Sequence, residues 1–190
     1  MNEEVRNRFS SRLDEVLGKN FELKWDIDKK GVVCGWCRLV NPEDIYPAAE
    51  LAAEFKGRVM TISALNTPID FEGKLPLKEA NPEAPINLVI NYHLYFQGIN
   101  CTFTITLPDK KRSVKSITPV LKSADWHERE MQDLFNIKLE GHPNPKRLFL
   151  DESIHMDDHT MIPLSEAMNE ASTNTLWEKL MESGRKDEER

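Results

Sequence analysis

The sequence predicts an α+β fold: a two-layer sandwich with a mixed β-sheet, the element order α-β-β-α-β-β-β, and an extended C-terminal segment. Three observations predict it. Two segments in the first third of the chain repeat apolar residues every three or four positions, the helical period. Five shorter runs concentrate or alternate β-branched and aromatic residues. From Gly141 onward, prolines at 143, 145 and 163 interrupt regular structure.

Each element has its own signal. Over residues 5–17, Val5, Phe9, Leu13, Val16 and Leu17 form one helical face, and Gly18 stops the helix. Residues 21–27 and 32–40 read as strands joined by the turn Asp28-Lys29-Lys30-Gly31. Asn41-Pro42 is a helix start, with Asn as N-cap and Pro at the first helical position. That helix presents Ile45, Ala49, Ala52 and Phe55 on one face, tolerates Pro47 in its first turns and ends near Gly57. Residues 58–65 form the next strand. Residues 66–85, rich in Pro, Asn, Gly and charge, are expected to be a long loop. Residues 86–96 and 99–107 are strands of a hairpin turning at Gln97-Gly98. Cys101, Phe103, Ile105 and Leu107 should be buried, with Thr102, Thr104 and Thr106 on a wet face. A basic turn (Lys110, Lys111, Arg112) and a link through Pro119 lead to a helix over 124–136. A short helix is expected over 176–181, followed by a frayed tail.

Composition narrows the function classes. The 190 residues suffice for one domain, and 39% hydrophobic with 30% charged residues is a globular balance. A net charge of −7 gives no electrostatic basis for binding nucleic acid. No apolar window is long enough to span a bilayer, so a membrane link is expected only through partners. The charged N-terminus lacks an apolar signal segment, and three cysteines fit a reducing compartment, which predicts the cytoplasm.

The densest chemistry lies in ADWHEREMQDLFNIKLEGHPNPKRL. Ser123 or Asp125 is expected to cap this helix. Trp126, Glu130, Asp133, Leu134 and Ile137 follow the three-four rhythm, which would put two acids on an apolar stripe. Arg129 lies four residues from both Asp125 and Asp133. Lys146 and Arg147 follow the Gly-His-Pro break and could answer the acids. Buried carboxylates need partners. Glu128, Arg129, Glu130, Asp133 and Arg147 are therefore read as a partly buried ion network that fixes a surface. A general acid–base site would use His127, His142 or a perturbed Glu, but no activated nucleophile or glycine-rich phosphate loop accompanies them.

The string Trp126-His127-Glu128-Arg129-Glu130-x-x-Asp133-Leu134-Phe135-x-Ile137, then Gly141-His142-Pro143 and Arg147-Leu148, resembles the signature of the thirty-kilodalton subunit family of respiratory complex I, the NADH dehydrogenase. Relatives of that family occur in membrane-bound nickel–iron hydrogenases. The motif is dense over about 25 residues, and the resemblance extends over roughly residues 1 to 165. It implies a non-catalytic subunit without a cofactor or metal of its own. Such a subunit clamps a large nickel–iron-type subunit beside a small iron–sulfur subunit, on the cytoplasmic side of the membrane. Trp126, Glu128, Arg129, Glu130, Asp133, Gly141, His142, Pro143 and Arg147 would be its structural and interface residues. Residues 1–140 would be the folded domain and 141–190 an arm wrapping a partner. Two departures stand out. Pro163-Leu164-Ser165-Glu166-Ala167 occupies the place of a Pro-Leu-Arg-Lys-Asp-like segment of quinone-type members, and Asn136 replaces a frequent Gly. They tilt the expectation toward a ferredoxin-linked, ion-pumping hydrogenase-type complex over NADH:quinone oxidoreductase.

Other signals are weaker. Cys34-Gly35-Trp36-Cys37 is a C-x-x-C that could serve a free-standing thiol or metal redox protein. It lies in a strand-like run, where residues three apart face opposite ways, and Cys101 is isolated. Ordinary half-buried cysteines are the simpler expectation. His155 and His159 flank Asp157 and Asp158 at metal-like spacing, but a solvated loop explains them. His93 reads as a satisfied strand histidine.

Overall fold

The computed structural model of the chain describes residues 2–68, 86–108 and 111–149. Its centre is a five-stranded mixed sheet. Strands β1 (Phe21–Ile27), β2 (Val33–Leu39), β3 (Arg58–Pro68), β4 (Ile86–Phe96) and β5 (Ile99–Pro108) lie in the order β1-β2-β5-β4-β3. Only β2 and β5 run parallel; the other pairs are antiparallel. Helices α1 (Asn2–Leu17) and α2 (Ile45–Glu54) pack on one face, which makes the expected α+β sandwich. Phe9 of α1 stacks on Phe96 at 4.4 Å and meets Phe55 edge-on at 5.2 Å. Ile105, Leu88, Ile90, Leu94 and Phe103 are fully buried beneath them.

The local signals act as expected in most places. Gly18 adopts φ +63° and its N–H reaches Asp14 O, closing α1. Asp28 Oδ1 accepts from the N–H groups of Lys30 and Val32, holding the first hairpin turn. Gln97 and Gly98 both have positive φ, as a two-residue hairpin of type I′ requires.

Several boundaries differ from expectation. Asn41 precedes a 3-10 turn, Pro42–Asp44, with Pro at its start, but its side chain makes no cap; α2 proper begins at Ile45. At the far end Lys56, not Gly57, is left-handed (φ +57°). Lys56 N–H bonds Ala53 O and Gly57 N–H bonds Ala52 O, a Schellman closure. A Cβ on Gly57 would lie 2.6 Å from Ala52 O, which explains the glycine there. Asn66 to Pro68 continue β3 instead of opening the loop, paired with Leu88, Asn87 and Ile86. The rest of the expected loop, Lys110 of the basic turn, His155, Asp157, Asp158, His159, the 163–167 segment, the helix over 176–181 and the tail all lie outside the described residues.

Two short strands are additions to the expected order. β6 (Ser113–Lys115) and β7 (Lys138–Glu140) pair in parallel on either side of α3 (Asp125–Phe135). Three-residue strands are too short for a periodicity signal. Val114 and Leu139 point inward from them and, with Ile117, Leu121, Met131 and Ile137, extend the main core under α3.

Candidate functional site

The site is built on α3. A 3-10 turn, Lys122–Ala124, leads into it, and Ala124 occupies the N-cap without a side-chain cap. Neither Ser123 nor Asp125 caps the helix. Ser123 Oγ instead accepts the N–H of Val59 at 2.9 Å, tying the helix start to β3. Asn136 ends the helix at φ +50°, a conformation that Gly and Asn tolerate best.

The expected apolar stripe of α3 is buried only in part: Asp133 and Ile137 are, but Trp126 is 66% exposed, and Glu128 and Met131, which lie off the stripe, are buried. Leu134 and Glu130 are only half-buried. The helix turns Glu128 and Asp133 inward because the surrounding chain supplies donors for them.

Glu128 is fully buried. Its Oε2 accepts from Ser116 Oγ and Thr118 Oγ1, both at 2.6 Å, and its Oε1 accepts from Ile117 N–H at 2.8 Å. Three donors offset the desolvation of a carboxylate. Because Thr118 Oγ1 gives its proton to Glu128, it accepts from His142 Nε2 at 3.2 Å. His142 Nδ1 in turn accepts the N–H of Asn144 at 3.0 Å. This pattern assigns the Nε2–H tautomer. Asp125 Oδ1 lies 3.4 Å from the same Nε2. The side chain of His142 is thus the plug that seats the Gly-His-Pro turn on α3. Below this cluster Tyr92 Oη is buried with no hydrogen-bond partner among the described residues. Burial, and secondarily the Glu128 charge, push its phenol well above the ordinary range.

The expected ion network becomes something different in the structure. Arg129 donates from Nε to Lys146 O at 2.7 Å and from Nη2 to Arg147 O at 3.0 Å. Its contact with Asp125, 3.9 Å, is secondary. Asp133 Oδ2 accepts from the N–H groups of Leu148 and Phe149 at 2.8 and 2.7 Å. Gln132 Nε2 donates to Pro145 O at 2.9 Å. Glu130 faces His127 at 4.0 Å near the surface. Three side chains of one helix therefore bond the backbone of residues 145–149. A proline-punctuated arm, which has no ladder of its own, is held as if it were a strand.

Of the residues singled out from sequence, Glu128, Arg129, Asp133 and His142 come together. Gly141 supplies φ +75° at the turn, and Pro143 and Arg147 lie on the arm. Trp126 and Phe149 stand exposed beside this seam. Sequence reasoning missed Ser116, Thr118 and Gln132. The Ser116-Ile117-Thr118 alternation, hydroxyl-apolar-hydroxyl before Pro119, was the available signal.

Cys34 and Cys37 do not form a site. Cys37 faces the core and Cys34 the opposite side of β2. Burial pushes the Cys37 thiol up to about 12 and the Cys101 thiol well above its usual range, away from the reactive thiolate. All three cysteines are free, and no cluster of three His, Cys, Asp or Glu suited to a metal exists among the described residues. No helix among them is long and apolar enough to cross a membrane.

The seam lies within the part of the chain that matches known proteins. The family model described as "Respiratory-chain NADH dehydrogenase, 30 Kd subunit" matches residues 39–174. The chain is 50% identical over 44 residues to NAD(P)H-quinone oxidoreductase subunit J of Synechococcus sp. (strain RCC307), covering 23% of this chain and 25% of that one. It is 35% identical over 75 residues to an NADH-quinone oxidoreductase subunit of Caulobacter vibrioides, covering 39% and 38%. These alignments thus span about a quarter to two-fifths of the relatives' length. A chain of the membrane-bound sulfane sulfur reductase, an archaeal respiratory membrane complex, shares the fold with a TM-score of 0.51 at 17% identity, over 80% of this chain and 78% of that one.

Proposed function

The chain belongs to the 30 Kd subunit family of respiratory-chain NADH dehydrogenase, and from that premise we propose that it works as a non-catalytic, cofactor-free subunit of a membrane-bound electron-transfer complex. It braces a large nickel–iron-type subunit next to a small iron–sulfur subunit, on the cytoplasmic side of the membrane. The iron–sulfur clusters, and any nickel–iron centre, belong to those partners. The observation that carries this reading is the seam. Arg129, Gln132 and Asp133 hold residues 145–149 by their backbone, while Trp126 and Phe149 remain 66% and 63% exposed. A fixed backbone with projecting aromatics is the anatomy of an interface core. Glu128, His142, Gly141 and Pro143 set the shape, Trp126 makes contact, and Glu130 and Arg147 border the patch.

Between complex types, the Ser165-Glu166-Ala167 segment favours a ferredoxin-linked hydrogenase-type complex coupled to ion pumping. The Asn136 departure carries no weight, since its left-handed backbone accepts either Gly or Asn. The names of the relatives favour a second reading, the thirty-kilodalton subunit of an NADH:quinone oxidoreductase.

A mild-detergent affinity purification of the tagged chain from its native membranes, with mass spectrometry and metal analysis, tests both. Recovery of a large nickel–iron-type subunit with a small iron–sulfur subunit is the expected result. A co-purified nicotinamide-binding module would select the second reading. A chain that elutes alone with stoichiometric zinc or iron would overturn the proposal in favour of a thiol or metal redox protein.

A further inference from the structure

A cleft of about 340 Å³ lies between the end of the five-stranded sheet and the two-stranded one. One wall is the Pro42–Asp44 turn and the start of α2, with Tyr46 and Pro47. The floor is the end of β5, Leu107 and Pro108, which outruns its neighbour: β2 pairs with β5 no further than Thr104. The other wall is β6, and all three of its residues line the cleft. Val114 points to the core while Ser113 and Lys115 point outward. A cleft that meets all three therefore runs along the edge of the strand, not over one face.

The backbone of that edge is unpaired. β6 pairs with β7 alone, in parallel. Lys138 N–H bonds Arg112 O and Ser116 N–H bonds Glu140 O, which fixes the groups that face β7. Parallel pairing then commits the N–H and C=O of Val114 to β7 and turns those of Ser113 and Lys115 the other way. β6 touches the Pro42–Asp44 turn while β7 touches α3, so this outer edge faces the cleft. No backbone group among the described residues bonds it. Lys115 Nζ lies 3.5 Å from the centroid of the Tyr46 ring, which ties the two walls together across the cleft. The edge is three residues long and carries a lysine, which discourages chance pairing. Glu43 and Glu140 balance Lys111 and Lys115 around it, so charge does not choose the occupant; backbone hydrogen bonding does.

We propose that an extended segment of a partner subunit docks in this cleft as a strand on the outer edge of β6. It takes main-chain hydrogen bonds from Ser113 and Lys115 and sets an apolar side chain between Tyr46, Pro47 and Leu107. Strand addition of this kind draws affinity from the main chain and specificity from a pocket for alternate side chains. The bonding groups of Ser113 and Lys115 lie about 7 Å apart along the strand, a span of roughly three partner residues. Proline is excluded from the bonding positions of that segment, because it lacks the donor. A helix cannot replace the strand, since its backbone bonds are closed within itself. A second copy of this chain would offer its own β6, recessed behind the same wall of Tyr46 and Pro47, so two such edges cannot meet. The contact is separate from the α3 seam, and it rests on the reading of the chain as a subunit.

The test uses the assembled complex with a photocrosslinking residue at the rim of the cleft, Lys111→p-benzoylphenylalanine, or at the seam, Trp126→p-benzoylphenylalanine. The Lys111 probe is expected to label a short segment of a partner subunit with alternating apolar residues and no proline. Two substitutions separate strand pairing from simple cover. Ser113→Pro deletes an outward N–H and leaves the β6–β7 bonds in place. Ser113→Ala keeps that N–H and loses only the hydroxyl bonded to Glu140. Ser113→Pro should cut the Lys111 cross-link about fivefold and Ser113→Ala should hardly change it. Both should keep the Trp126 cross-link, which reports an intact fold. Equal effects of the two substitutions overturn the proposal. If Ser113→Pro fails to fold, amide exchange in the unmodified complex decides. The Ser113 and Lys115 N–H groups should exchange at least about tenfold slower than free amides, and exchange at the free rate overturns the proposal. So does a Lys111 probe that labels only its own chain, only lipid or nothing while the Trp126 probe labels a partner. Failure of both probes, with the chain eluting alone, removes the subunit reading and this contact with it.

Discussion

The two halves of the molecule are held by different physics. From α1 to β5, apolar residues meet across the inner face of the sheet, as in the Phe9, Phe96 and Phe55 cluster. From β6 to residue 149, shape comes from directional bonds: Glu128 to two hydroxyls and an N–H, Arg129 to two carbonyls, Asp133 to two N–H groups. Burial of apolar area is non-directional, so the first half should tolerate exchange of similar shapes. The second half should fail when a single donor–acceptor match is lost, since the remaining partner is left buried and unpaired.

The sharpest way to break the comparison is Glu128→Ala against Ile105→Val. Losing the carboxylate strands three buried donors, at Ser116, Ile117 and Thr118, and should cost on the order of 3–5 kcal/mol. Ile105→Val removes one buried methyl and should cost about 0.5–1.5 kcal/mol. Urea denaturation of both variants measures the gap. A Glu128→Ala cost no greater than that of Ile105→Val would mean that the polar lock has no special role.

Arg129→Ala is a smaller perturbation, about 1–3 kcal/mol, because the carbonyls of residues 146 and 147 lie nearer the surface than the Glu128 donors and regain water. An all-ion-pair seam would have predicted more. Arg129→Lys should rescue little, since one ammonium cannot reproduce the two-pronged guanidinium. Limited proteolysis of the 141–149 stretch and yield of assembled complex report the effect. Full rescue by Lys would show that charge, not the fork, matters.

This contrast also explains what was legible in the sequence. Phe21–Ile27 and Ile86–Phe96 were readable to the residue, because their alternation or β-rich run and their bounding turns agree. The residues of the seam were readable as a cluster but not as a mechanism. Glu128 lies off the expected apolar stripe and was legible only as one member of a partly buried network, yet it is the most deeply buried acid of α3, because its partners Ser116 and Thr118 lie twelve and ten residues away in an irregular link. Backbone acceptors at 145–147 are invisible to any pattern of side chains. The parallel pairing of β6 with β7 depends on tertiary closure around α3 that three-residue strands cannot signal. The threonine face of β5 shows the same limit: Thr102 is buried between His93 and Trp36, where simple alternation put it in water.

His93, bonded to Ser63 and Thr102 on the sheet face turned away from α1 and α2, sits in the half held by apolar burial, and its contribution should accordingly be the smallest, visible only as pH dependence. Burial lowers the pKa of His93 below its usual 6.5. The unfolded chain therefore binds more protons than the folded one in the window just below pH 6.5, and stability rises with pH across it. His93 thus contributes in full above pH 6.5, and its contribution falls as the pH drops through that value toward the lowered folded pKa. Melting temperatures taken from about pH 8 to about pH 5 should decline for the native chain. His93→Gln, which does not titrate, should flatten that limb while leaving the alkaline end nearly unchanged. Nuclear magnetic resonance titration of the His93 ring gives the direct check. A midpoint above the usual 6.5 would place a carboxylate near the ring, where the neighbouring strands β3 and β5 carry none.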